Sequence, residues 1–128
     1  EISLANKYYT QAINIMESVL RDEFLDDLCD KTSNHLLLAQ ILSDYSTLYQ
    51  QQSYYLDSIE KQQRSLELRQ LYLSDQDYLI GESYMILGQI YCDSGKVIEA
   101  EKYLKKAQRI YDSLYDDECK LVHIRMIK

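Results

Sequence analysis

Three segments of this chain read alike, and that repetition constrains its fold more than any other feature. Ala100-Glu101-Lys102-Tyr103-Leu104-Lys105-Lys106-Ala107-Gln108-Arg109-Ile110-Tyr111 echoes Ala5-Asn6-Lys7-Tyr8-Tyr9-Thr10-Gln11-Ala12-Ile13-Asn14-Ile15-Met16. A weaker copy, Ser58 to Leu68, lies between them. A shift of 42 positions carries Ser46 onto Gly88, Tyr49 onto Tyr91, Ser58 onto Ala100 and Ser65 onto Ala107. A fixed period of this size marks stacked supersecondary units, each unable to bury its apolar face alone. Such arrays present surfaces to partners rather than chemistry, which sets the functional expectation.

Composition narrows the unit. The 128 residues make one domain at most and include no Pro and only three Gly, too few turn residues for an all-β chain. Leu, Ile, Gln, Glu and Lys favour helix, although thirteen Tyr exceed what propensity alone would choose. The formal charge of −7 disfavours phosphate backbones and anionic lipid heads, so neither nucleic acid nor direct membrane contact is expected. Cys29, Cys92 and Cys119 are an odd count without a pairing pattern, which reads as reduced thiols in a reducing intracellular compartment. No stretch approaches the ~18 apolar residues of a membrane span.

Helical spacing then divides the chain. From Ser3 to Leu20 the residues Leu4, Tyr8, Ala12, Ile15 and Val19 recur at three- and four-residue steps and predict the buried face of a first helix. Arg21 to Asp30 is acidic but lacks the order of a calcium loop, and reads as a solvated helix extension. Thr32-Ser33-Asn34 offers cap oxygens for a helix over 35–50, and Gln51-Gln52-Ser53 makes a turn before a helix over 54–72. Ser74-Asp75-Gln76-Asp77 is a linker with a cap. Helices over 78–93 and 97–115 follow, with Ser94-Gly95 as a tight turn and Gly95 at the left-handed position. Asp116-Asp117-Glu118 opens a short final helix. The expected domain map is a single array of residues 1–128: 1–31 the second helix of a truncated repeat plus acidic linker, 32–73 a repeat, 74–115 a repeat, and 116–128 the first helix of another truncated repeat. An array that starts inside a helical pattern reads as a fragment of a longer protein.

The residues Tyr84, Leu87-Gly88 and Tyr91, followed by Ala100, Leu104 and Ala107, resemble the tetratricopeptide repeat. Small residues stand where two helices cross closely, and large ones fill the gaps. Ser46, Ser58 and Ser65 hold the small positions in the preceding unit. The resemblance implies an all-α solenoid of antiparallel helix pairs, and the 42-residue period is similar to the long-helix variety of kinesin light chains. Ser43-Asp44 and Met85-Ile86 stand where that variety carries paired Asn for cargo. A cargo-adaptor role is therefore an alternative, as is a docking arm of a larger regulatory or enzymatic protein. Ala5 to Glu17, the acidic linker and Asn34-His35-Leu36-Leu37-Leu38 also resemble a mitochondrial branch of the family. That likeness implies residence at the inner mitochondrial membrane and a part in assembling or maintaining ubiquinol–cytochrome c reductase.

Nothing in the sequence assembles a catalytic, cofactor or metal site. His35 and His123 are far apart and neither adjoins a nucleophile motif. Cys92 reads as a small hydrophobe on the inner face, and the acids before Cys119 blunt its nucleophilicity. Tyr49, Tyr84, Tyr91 and Tyr103 are expected in the core, with Tyr45, Tyr54, Tyr55, Tyr72 and Tyr78 partly exposed. Lys102, Lys105, Lys106 and Arg109 make a solvated face with Glu99 and Glu101 as partners. The inner face of each first helix supplies the candidate partner-binding groove: Gln40, Asp44, Thr47, Gln51, Glu82, Met85, Gln89 and Asp93. With no cation among them, they disfavour clamping a terminal carboxylate and point to basic or amide-rich protein segments. The apolar residues Leu121, Val122, Ile124, Met126 and Ile127 suggest self-association through the C-terminal helix.

Overall fold

The computed structural model describes the backbone of residues 2–21 and 31–127 and the side chains of 3–21 and 32–115. Its elements are α1 (Ile2–Arg21), α2 (Lys31–Gln51), α3 (Tyr55–Tyr72), α4 (Tyr78–Asp93) and α5 (Val97–Ile127). The chain forms two compact units, Glu1–Tyr72 holding α1 to α3 and Leu73–Lys128 holding α4 and α5. The fold is all-α and built from helix pairs, as the repeat predicts.

In the first unit α1 packs along α2, and Ile13, Leu38, Leu42 and Tyr45 form a buried cluster. Tyr9, Met16, Leu20, Ile41, Leu48, Tyr49 and Leu68 close around it. The packed face of α1 is therefore Tyr9, Ile13, Met16 and Leu20, one residue round from the predicted stripe. Leu4, Tyr8 and Ile15 of that stripe are exposed. Two adjacent apolar stripes run along this helix, and periodicity cannot say which of them α2 covers. Tyr45 is likewise buried, at 5% exposure, rather than partly exposed, because Tyr9 of α1 stacks on it at 5.2 Å.

The α2–α3 contact is a polar seam. Ser58 donates to the carbonyl of Ser46 at 2.7 Å and Ser65 to that of Ala39 at 2.6 Å. Gln62 donates to the Ser43 hydroxyl at 3.3 Å and accepts from Ser46 at 3.5 Å. Serine is small enough for the close crossing, and its hydroxyl reaches a carbonyl lone pair left over from the helix ladder. Each such bond contributes about 0.5–1.5 kcal/mol.

In the second unit the same crossing is apolar. Leu87, Ile90 and Ile80 of α4 meet Ala100, Ala107 and Ile110 of α5, all buried. Leu104 lies across Gly88, where a Cβ would fall 2.6 Å from its side chain. That close approach accounts for the glycine.

Both hairpins turn alike. Lys96 N–H bonds the Tyr91 carbonyl at 2.8 Å and Gly95 N–H that of Cys92 at 3.1 Å, with Gly95 at φ 86°. Tyr54 N–H bonds the Tyr49 carbonyl at 2.9 Å and Ser53 N–H that of Gln50 at 3.0 Å, with Ser53 at φ 66°. These are Schellman-type closures. Asp77 caps α4 by accepting from Leu79 N–H at 2.9 Å, as its position predicts.

Two boundaries differ from expectation. Helix α2 begins at Lys31, so Thr32, Ser33 and Asn34 lie within its first turn and not ahead of it. Helix α5 runs unbroken through Asp116-Asp117-Glu118 to Ile127, so the separate final helix expected over 116–128 is absent. That acidic run contains neither Gly nor Pro and offers nothing to break a helix. The side chains proposed for C-terminal self-association, and the linker 22–30, lie outside the described residues.

Candidate partner-binding site

The inner positions occupy one face on each first helix. Gln40, Asp44, Thr47 and Gln51 follow the three- and four-residue spacing down α2 in the first unit. Glu82, Met85, Gln89 and Asp93 do the same down α4 in the second. Asp44, Gln51, Gln89 and Asp93 are exposed, and the other four are half-buried.

On α2 these residues are organised. Asp44, Thr47 and Gln51 line a cleft of about 260 Å³ with Leu48 and Tyr9, the last reaching in from α1. Thr47 turns its hydroxyl back to the Ser43 carbonyl at 3.1 Å. Gln40 donates to Asp44 Oδ1 at 3.0 Å and accepts from Arg69 Nη2 at 3.0 Å. Arg69 belongs to α3 and is only 1% exposed. A buried guanidinium thus stands behind a face whose own residues carry no cation, and Gln40 passes its polarisation to the Asp44 carboxylate. Charge-assisted bonds of this kind fix geometry as well as contribute energy. The Gln40 amide is held with its carbonyl inward and its N–H2 toward Asp44.

Tyr9, the one tyrosine lining this cleft, begins a run of ring contacts. Tyr9 stacks on Tyr45, Tyr45 on Tyr49 at 4.5 Å, and Tyr54 meets Tyr49 edge-on at 6.2 Å. The Tyr45 and Tyr49 hydroxyls lie 2.7 Å apart. That hydrogen bond, then burial, pushes the Tyr49 phenol far above the ordinary 10. It stays neutral at any physiological pH.

The α4 face is less closed. Glu82 lies near Tyr111, whose phenol is raised first by burial and then by Tyr78 and Glu82. Tyr91 stacks on Tyr103 at 5.5 Å, and Lys106 lies 5.4 Å over the Tyr84 ring and 5.5 Å over that of Tyr103. The basic face is solvated as expected, with Lys105 bonded to Glu101 at 2.9 Å. Cys92 is exposed instead of packed, since it sits in the last turn before the chain leaves the helix at Ser94.

A second cleft, about 340 Å³, opens on the other end of the first unit between Leu20, Arg21, His35, Leu38, Leu68 and the Glu17–Arg64 ion pair. His35 stacks on Tyr72 at 4.8 Å. Among the described residues no group of three His, Cys, Asp or Glu could hold a metal, and no helix is long and apolar enough to cross a membrane.

Sequence reasoning missed Arg69, Tyr9 and Leu48. A signal for Arg69 existed: Ser58, Gln62, Ser65 and Arg69 form one helical stripe, and two members were already placed at the crossing. Tyr9 could be found only by knowing which stripe of α1 faces α2.

The family model described as Tetratricopeptide repeat matches residues 37–113. No curated protein matches the chain.

Proposed function

The chain belongs to the tetratricopeptide repeat family, and from that premise we propose that it is a non-catalytic scaffold whose inner helix faces hold basic or amide-rich protein segments. The supporting observation is the α2 cleft, where Asp44 offers an exposed carboxylate beside the Gln51 amide, the Leu48 side chain and the Tyr9 ring. An extended segment meets there an acceptor for Lys, Arg or side-chain amides and an apolar floor for the carbons between them. In the second unit, Glu82, Gln89 and Asp93 of α4 offer the same side-chain types.

Fluorescence anisotropy with labelled peptides rich in Lys/Arg, in Asn/Gln and in Asp/Glu tests this. The first two classes are expected to bind and the acidic class to fail, with Asp44→Lys reversing the order at unchanged helix content. Tightest binding of the acidic peptides to the unaltered chain sinks the reading.

The finer reading rests on sequence likeness. The order of α1, an acidic connection and Asn34-His35-Leu36-Leu37-Leu38 resembles tetratricopeptide repeat protein nineteen of mitochondria. On that basis we assign the scaffold to the inner mitochondrial membrane, in assembly or maintenance of ubiquinol–cytochrome c reductase. Co-purification with subunits of that complex, lost in Asp44→Lys, is the expected result. Recovery without any of its subunits removes this assignment and leaves the scaffold reading standing.

A further inference from the structure

Arg69, Gln40 and Asp44 form a polar chain in the first unit, and the sense of each hydrogen bond in it is fixed. Arg69 Nη2 donates to Gln40 Oε1 at 3.0 Å, and Gln40 Nε2 donates to Asp44 Oδ1 at 3.0 Å. A guanidinium has donors and no acceptor, so the Gln40 amide cannot turn over without setting N–H groups against N–H groups. Arg69 is 1% exposed and has little room to follow such a turn. Gln40 is therefore held as a donor, and its bond to Asp44 lies at the surface. One of its two N–H groups is spent on Asp44. The other, and the second Asp44 oxygen, have no partner among the described residues.

We propose, resting on the scaffold reading above, that this pair is a seat for a primary carboxamide, so that a partner protein's segment is recognised on α2 by Asn or Gln and not by Lys or Arg. A carboxamide presents its C=O and N–H2 on one edge, so its oxygen accepts from Gln40 while its nitrogen donates to Asp44. Lys and Arg donate but do not accept, and set their own donors against the Gln40 N–H. A surface ion pair with Asp44 adds little to offset that. A trans main-chain amide sends its N–H and C=O to opposite sides and cannot meet both groups at once. Leu48 and Tyr9, which line the adjoining cleft with Asp44, receive the carbons of the side chain.

The second unit supplies an internal contrast. The shift of 42 positions carries Gln40 onto Glu82, Asp44 onto Ile86 and Arg69 onto Tyr111. An ionised Glu82 accepts but does not donate, and Ile86 does neither. The equivalent place on α4 therefore has no donor and acceptor side by side. The carboxamide seat is a property of α2 and not of the repeat in general.

The probes are short labelled peptides, alike except for Gln, Lys or Leu at alternate positions of a Gly/Ser frame, titrated by anisotropy into the full chain. At physiological salt the Gln peptide should bind most tightly, and added salt should weaken the Lys peptide far more than the Gln peptide. Gln40→Glu keeps the shape of the side chain but removes its donor. It should shift the ratio of the two affinities toward Lys by at least about tenfold, with helix content unchanged. Arg69→Met frees the amide to turn and should bring the two affinities together, whereas Arg69→Lys keeps a donor behind Gln40 and should hold the preference. If Arg69→Met does not fold, Gln40→Glu decides alone. A Lys peptide that binds the unaltered chain at least as tightly as the Gln peptide overturns the inference and leaves the scaffold reading standing. A ratio that Gln40→Glu does not move has the same consequence. Failure of both peptides to bind removes the scaffold reading and this inference with it.

Discussion

Ser53 and Gly95 hold the same place in two helical hairpins, both with left-handed backbone, at φ 66° and 86°. Glycine takes that conformation freely, whereas a residue with a Cβ pays roughly 1–2 kcal/mol. Ser53→Gly should therefore stabilise the chain, by about 0.5–1 kcal/mol after glycine's extra freedom in the unfolded state is offset. Gly95→Ala should destabilise it by about 1 kcal/mol. Nothing lies within 4 Å of a Cβ built on Gly95, so the cost is conformational and not steric. Urea melts of both variants give the two signs, and equal effects would contradict this account of the turns.

The crossing of α4 and α5 should be intolerant of bulk. A Cβ at Gly88 meets Leu104 Cγ and Cδ2 at 2.6 Å and the Ala100 carbonyl oxygen at 3.3 Å. Gly88→Leu, and likewise Ala100→Leu, should cost ~1–3 kcal/mol. Leu104→Ala should recover part of the loss from Gly88→Leu, because the clash is with a side chain that is itself part-exposed. Thermal denaturation of the two single variants and the double variant measures that coupling.

The serine seam of α2 and α3 predicts small, separate losses. Ser58→Ala and Ser65→Ala each remove one hydroxyl bond to a carbonyl that keeps its helical partner. Each should cost about 0.5–1.5 kcal/mol. Gln62→Ala should cost more, since it empties buried volume and strips bonds from both Ser43 and Ser46. Denaturant midpoints rank the three, and a neutral Gln62→Ala would dissolve the seam as a stabilising feature.

Alkaline pH should weaken the fold. The Tyr49 phenol is raised by its bond to Tyr45 and by burial, so the folded state keeps a proton that the unfolded chain releases near 10. Its contribution is complete below that value and is lost as pH rises through the folded one. Stability should therefore fall with each step above pH ~10. Tyr49→Phe should shallow the slope. Denaturant melts at successive pH values, with tyrosinate absorbance as the titration signal, check both.

Charge reversal on the α4 face separates partner binding from folding. Glu82→Lys and Asp93→Lys should lower affinity for basic peptides severalfold and leave melting nearly unchanged, since surface substitutions usually shift stability by within about 0.5 kcal/mol. Anisotropy titration beside a melt distinguishes the two. Undiminished affinity in both variants confines binding to the α2 face.

The sequence by itself determined the repeat, the helix pairs and their turns. A period of 42 positions, small residues at fixed offsets and the Asp77 and Gly95 signals are local or periodic, and they place α3, α4 and the hairpin turns to within a residue. Helical spacing alone also puts Gln40, Asp44, Thr47 and Gln51 on one side of α2. Only the tertiary structure decided which stripe of α1 is buried, since Tyr9–Ile13–Met16–Leu20 and Leu4–Tyr8–Ile15 are both apolar and differ solely in what packs against them. It alone brought Arg69 behind Gln40 across 29 residues, a contact between helices that no spacing within one helix encodes. Continuity of α5 through three acids was a third such decision, because a charged run is compatible with either a cap or a solvated turn. Patterns within one helix report its own geometry, and choices between helices belong to packing.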